Sequence, residues 1–293
     1  MRKTPDVPGV RLSVSAVDAC GRRRWLAMVG VPIVLASIVP CGSALADDAR
    51  PWDLTLGAGV ATMPQYSGAA VSHPRLRLWA DAEYRTHDLG TIALDSGSLT
   101  IDPELRWNVV DRPDAGFGPL LGYRFGRDDK DPGFASGTDG SSRLQGLPDV
   151  ASAVDAGVQG HVLVFGVPVF AQLRTALSGS QGTLLDVGLY LPLHTGSLTL
   201  TVLPTVTWAD ARQMRALYGV SPEASAASGF AAYSPGAGWE NAALELAAEW
   251  SVSQSAHLVA SVAWERLLGD AAASPIVERR NQLSVLAGAT WSF

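Results

Sequence analysis

Cysteine is almost missing from this chain. Cys20 and Cys41 are the two present in 293 residues, and both fall ahead of a leader cleavage pattern. Residues 47–293 hold none, which excludes disulfides, thiolate metal sites and a cysteine nucleophile together. Long apolar runs are missing too. Past residue 46 no run approaches the roughly 20 residues that a membrane helix needs. There is no glycine-rich phosphate loop, since the glycines stand singly within alternating segments or in turns. A basic surplus is also lacking. The whole chain carries −6; residues 1–46 contain six basic and two acidic residues, so 16 basic and 26 acidic remain after them. An acidic chain argues against nucleic acid as a partner.

The N-terminus reads as a targeting segment. Arg22, Arg23 and Arg24 precede a mostly apolar stretch over 25–40, and Ser43-Ala44-Leu45-Ala46 ends in an A-x-A pattern. The expected cut follows Ala46. Residues 1–46 are then an N-terminal extension plus signal peptide, with 1–21 the extension, and 47–293 form the domain. Twin-arginine export conflicts with the unfolded crossing that the domain described below requires. A lipoprotein site at Cys41 conflicts with Pro40, where a small residue is needed.

What the chain has in abundance is period-two alternation. In 281–293 (NQLSVLAGATWSF), Leu283, Val285, Ala287, Ala289, Trp291 and Phe293 share one phase. Gln282, Ser284, Gly288, Thr290 and Ser292 share the other. That places two sets on opposite faces of a strand. The pattern recurs over 52–60, 74–84, 91–95, 99–109, 117–125, 154–164, 167–177, 185–193, 198–208, 241–250 and 258–264, giving twelve strands. Between them, 127–149 is a polar loop rich in Asp, Gly and Ser. The stretch 210–239 is the longest without alternation and includes an alanine-rich piece of helical character.

Three features favour a closed antiparallel transmembrane β-barrel over a soluble sandwich. Every ionised residue placed inside a strand falls on the polar phase, as expected where a mid-bilayer charge on the outer wall costs about 2–4 kcal/mol. Aromatics gather near strand ends: Trp52, Tyr84, Trp107, Phe125, Trp208, Trp250, Trp264 and Trp291, as headgroup-level girdles do. Trp79 is the exception, on the polar phase, where it would fill the lumen. The long connections 61–73, 127–149, 210–239 and 267–280 share one parity and the short turns the other. This predicts short periplasmic turns and long extracellular loops in a bacterial outer membrane.

The polar phase would line a lumen with Asp53, Asp81, Glu83, Asp102, Glu104, Asp155, Asp186, Glu245, Glu249 and Glu265, answered by Arg75, Arg77, Arg106, Arg124 and Arg174. One reading is an ionic network that fills and stiffens a narrow barrel, since buried charge requires partners. Another is a small cation-favouring pore, and twelve strands do not decide between them by size. A third class is a lipid-modifying barrel enzyme. It would need Ser, His and an acid within reach on one rim. His73, His87, His161, His194 and His257 show no local nucleophile motif, and no catalytic, cofactor-binding or metal residue is assigned. Asp128, Asp129, Asp131 and Asp139 lack the regular spacing of a calcium loop.

Three loop stretches carry a resemblance. Tyr218-Gly219-Val220-Ser221-Pro222-Glu223, continuing through Ala226-Ala227-Ser228-Gly229 to Tyr233 and Gly236-Ala237-Gly238, is similar to the long loop of the MipA/OmpV family. Arg266-Leu267-Leu268-Gly269-Asp270-Ala271-Ala272 with Ser274-Pro275-Ile276-Val277, and Tyr66-Ser67-Gly68, resemble it as well. The resemblance covers roughly 52–293 and is strongest after 210. It implies an outer-membrane scaffold for peptidoglycan remodelling, with a periplasmic lytic transglycosylase and a penicillin-binding synthase as partners. It offers no catalytic residue to carry over. Other members are described as porin-like or osmotically regulated surface proteins.

Overall fold

The structure is a computed structural model that describes residues 51–86, 89–112 and 114–293. The leader expected over 1–46, together with His87 and Pro113, lies outside those residues.

Twelve antiparallel strands close on themselves. They are β1 (Trp52–Pro64), β2 (Ser72–Thr86), β3 (Gly90–Asp95), β4 (Glu104–Asn108, resuming as Val110–Asp111), β5 (Ala115–Arg124) and β6 (Ala153–Val164). Then follow β7 (Val167–Ala176), β8 (Thr183–Leu189, resuming as Leu191–Thr195), β9 (Leu198–Ala209), β10 (Gly238–Ser251), β11 (Ala256–Leu267) and β12 (Asn281–Ser292). Each pairs with its chain neighbours, and β1 pairs with β12 from Thr55↔Ser292 to Thr62↔Val285, which completes the ring.

The two phases separate as alternation requires. Leu56, Leu121, Val158, Leu246, Val262 and Val285 are exposed on the outer wall. Arg106, Asp155, Gln172, Arg174 and Glu245 are buried on the inner wall. Exposed aromatics form two bands. Trp52, Tyr84, Trp107, Trp250 and Trp291 lie toward the end that carries the short turns, and Tyr123, Trp239 and Trp264 toward the other. Trp79 does turn inward, 9% exposed. It lies over β1 so closely that a Cβ on Gly57 would stand 2.1 Å from its ring.

Short turns at 165–166, 196–197 and 252–255 mark the periplasmic end. The long connections 125–152, 210–237 and 268–280 rise from the other. These carry a 3₁₀ turn (Ser142–Leu144) and the helices α1 (Ala211–Tyr218), α2 (Pro222–Ser228) and α3 (Gly269–Ala273). α2 is the alanine-rich piece. Ser221 caps it by accepting from the Ala224 N–H (3.2 Å), and Gly229 ends it at φ 78°, the left-handed exit that glycine makes without strain.

One strand departs from expectation. The segment predicted as 99–109 enters the wall only at Glu104, and Leu99 and Ile101 do not face lipid. Gly97, at φ 76°, turns the chain inward while its N–H donates to Asp95 Oδ1 (2.9 Å). Ser98 N–H donates to the Ile101 carbonyl (2.8 Å), and Pro103 offers no N–H to start a ladder earlier. Residues 96–103 therefore enter the lumen instead of heightening the wall.

Candidate functional site: the lumen and its cap

The lumen is crosslinked by arginines. Arg106 stands between Asp95 (2.9 Å) and Glu104 (3.4 Å), and Arg174 between Asp102 (3.0 Å) and Asp186 (3.1 Å). Arg124 grips Asp155 through two bonds of 2.6 and 2.7 Å. Near the periplasmic rim Arg85 holds Asp53 and Glu83, each at 2.6 Å. Amide side chains extend the mesh: Gln172 donates to Glu104 (2.9 Å). Apart from Asp95, Arg85 and Gln172, these are residues that the alternation placed in the lumen. Asp81 accepts from Ser96 N–H (2.9 Å), while Glu265 takes its place on the inner phase of β11.

The inward segment spans this interior. Ser98 and Thr100 donate to Glu245 on β10 at 2.8 and 3.0 Å. Ile101 packs with Phe170 of β7, Tyr190 between the two parts of β8, and Leu203 of β9. A segment rooted at β3 and β4 thus meets the opposite wall.

A second closure lies above it, and α1 is its centre. Asp210 starts the helix by accepting from Gln213 N–H (2.7 Å). Gln213 then accepts from Arg124 of β5 (2.7 Å) and from Gly182 N–H ahead of β8 (3.0 Å). Tyr218, fully buried, donates to Glu240 of β10 (2.9 Å) and meets Ser67 after β1 at 2.9 Å, while its carbonyl accepts from Ser274 (2.7 Å). One eight-residue helix is thereby tied to several sides of the mouth. Met214, Leu184, Ala209, Leu267 and Ala271 fill the space beneath it. Beside it Tyr66, Leu144, Leu147, Val220, Ala224 and Ile276 form another apolar core. Burial pushes the Tyr66 phenol up to about 12, with the Glu278 carboxylate adding to it. Burial, then Glu240, holds the Tyr218 phenol well above its ordinary value.

Glu240 is a residue that alternation missed. The β9–β10 register shifts between Thr207 and Trp208. The extra residue of such a bulge re-aims the side chains past it, so Trp239 points out and Glu240 points in under Tyr218.

Among the described residues, which leave out His87, the histidines do not assemble a hydrolytic relay. His73 meets Gln65 (2.7 Å), His161 is buried over Gly116, and His194 sits in the strand end beside the 196–197 turn. At His257 the structure brings together Ser251 (3.1 Å) and Glu249 (3.3 Å), yet both approach Nδ1. A relay needs the nucleophile and the acid on opposite ring nitrogens. In the acidic loop, Asp139 pairs with Arg75 (2.7 Å), Asp131 accepts from Ser142 N–H (2.9 Å), and Asp128 accepts from Lys130 N–H (3.0 Å).

The three converging loops are those at 66–68, 218–238 and 266–277, and a family model described as MltA-interacting protein MipA matches residues 56–293. The chain belongs to the MipA family. Among MipA-like relatives, YiaT of Escherichia coli (strain K12), named for the outer membrane, is 26% identical over 117 residues. That match spans 40% of this chain and about half (47%) of YiaT. YiaT of Escherichia coli O157:H7 matches to the same extent. Among solved structures, the NanC porin is 8% identical with a TM-score of 0.43, covering 81% of this chain and 98% of that one. The COG4313 outer membrane channel from Pseudomonas putida F1 is 9% identical with a TM-score of 0.44, covering 85% and 97%. This MipA-family chain is an outer-membrane β-barrel.

Proposed function

We propose that this protein is a non-enzymatic scaffold of the outer membrane. It would engage a periplasmic lytic transglycosylase, a murein hydrolase, and hold it near a penicillin-binding synthase during peptidoglycan remodelling. The observation that carries this reading is the double closure. The cap around Tyr218 covers the outer mouth, and residues 96–103 cross the lumen below it. A barrel closed in this way offers its periplasmic turns as its working surface, and the family's description names an interaction with MltA.

The test is capture from detergent-solubilised envelopes by the tagged full chain. Enrichment of a lytic transglycosylase over an unrelated twelve-strand barrel is expected. Capture of no murein enzyme above that control would end the reading.

A further inference from the structure

β2 is paired with β1 along its whole length, from Trp52↔Tyr84 to Pro64↔Ser72. Its other edge is not. β3 meets only 82–86, so over 72–81 that edge has no neighbouring strand. Two contacts partly close it. Leu76 N–H donates to the Phe134 carbonyl (2.6 Å), and the Ala80 backbone exchanges bonds of 2.7 and 2.8 Å with the Ser96 hydroxyl. In an antiparallel strand every second residue turns its N–H and C=O to the same side. Leu78 therefore aims its backbone between these two contacts. Its side chain is 69% exposed, the most of any large apolar residue within a strand; Leu283 follows at 56%. The bare stretch lies in the half of the wall nearer the long loops, the half that faces the outer leaflet. A backbone edge is tolerated at membrane depth only where something covers or solvates it.

Behind Leu78 the lumen holds a cation that no carboxylate grips directly, although Asp102 and Glu245 attract it from farther off. Arg75, Arg106, Arg124 and Arg174 each lie within 3.0 Å of a carboxylate. Arg77 has no carboxylate within 4.0 Å among the described residues. Its Nη2 reaches the Ser98 carbonyl at 3.4 Å, and its buried Nε has no partner. A guanidinium left this way suits the two oxygens of a carboxylate or a phosphate.

We propose that the notch at Leu78 is a lateral portal for an anionic amphiphile of the outer leaflet. The acyl chain lies along Leu76, Leu78 and Phe134, and the carboxylate or phosphate head passes inside to Arg77. The cap and the crossing segment close the vertical route, so the notch joins the lumen to the membrane. This stands apart from the scaffold role, and its failure would leave that role untouched.

The test uses the full chain in phosphatidylcholine vesicles. Two probes carry a diazirine beside the head group, one a palmitate and the other a phosphatidylglycerol. After photolysis, adducts are mapped by mass spectrometry. Labelling at 96–100, on the lumen side, is expected, and the stronger probe names the source of the head group. Arg77→Gln should lower it about tenfold, the scale of one charge-assisted hydrogen bond. Arg77→Lys should restore part of it, with heat-modifiable gel migration confirming that both variants fold. Adducts confined to outward residues such as Leu76 and Leu105 would overturn the portal. Labelling that survives Arg77→Gln unchanged would overturn anion recognition. Protection by inorganic phosphate equal to that by dodecyl phosphate would overturn the amphiphile.

Discussion

Arg124, at the top of the wall, donates to Gln213 in the first helix of the cap at 2.7 Å. The same Gln213 oxygen accepts from Gly182 N–H, so one amide couples the cap to two places on the mouth. Replacing it by alanine strands a buried backbone donor and weakens the hold on a buried guanidinium. Gln213→Ala should cost about 1–3 kcal/mol. Thermal unfolding in detergent should show this, and residues 210–237 should become cleavable by protease below the global transition. Equal protease resistance in the two proteins would mean that the apolar core under α1 holds the cap unaided.

The cap should open in alkali. Burial, then Glu278, moves Tyr66 from 10.0 to about 12, and Tyr218 shifts the same way. A folded-state value above the unfolded one means that the fold favours the neutral phenol. That stability is fully present below about pH 10 and is lost as pH rises toward 12. Phenolate absorbance should appear late, together with protease sensitivity of 210–237. Phenolate formed near pH 10 while the cap stays resistant would contradict this.

Two closures in series predict an electrically quiet protein. In planar bilayers the full chain should show no steady conductance. Exchanging 211–229 for a Gly-Ser linker removes α1 and α2 but leaves Ile101 packed against Phe170, Tyr190 and Leu203, so conductance should stay low. Shortening 98–101 in that background should produce discrete steps. Steps from the unaltered protein would restore the cation-favouring pore that the acidic lumen first suggested.

Much of this architecture was legible because a membrane wall enforces period two residue by residue. Leu283 through Trp291 had to share a face, and the inward charges from Asp53 to Glu265 followed from the same rule. Where backbone departs from the period, the rule fails. Gly97 and Pro103 diverted Ile101 from lipid to lumen, and a bulge turned Glu240 inward. The partners that reward the inward path lie far along the chain at Phe170 and Glu245. The cap was hidden for the same reason. Tyr66, Tyr218 and Ile276 stood out as family strings, yet nothing local says that Tyr218 reaches Ser67 and Glu240.

The periplasmic turns are where the scaffold reading can be tested residue by residue. Phe165 is fully exposed and has φ 51°, the one non-glycine with positive φ among the described residues. With Gly166 at φ 80° it forms a two-residue hairpin loop of the kind that asparagine followed by glycine makes with little strain. Left-handed backbone costs a bulky residue about 1–2 kcal/mol, and no packing on this chain offsets that cost. Phe165→Asn should therefore stabilise the barrel by about 1 kcal/mol, read as a higher unfolding midpoint. It should also weaken capture of the lytic transglycosylase, because an exposed aromatic held against backbone preference is a natural anchor for a partner. A gain in stability with capture unchanged would exclude this turn from the contact and move the search to the other turns of that end, those at 196–197 and 252–255 among them.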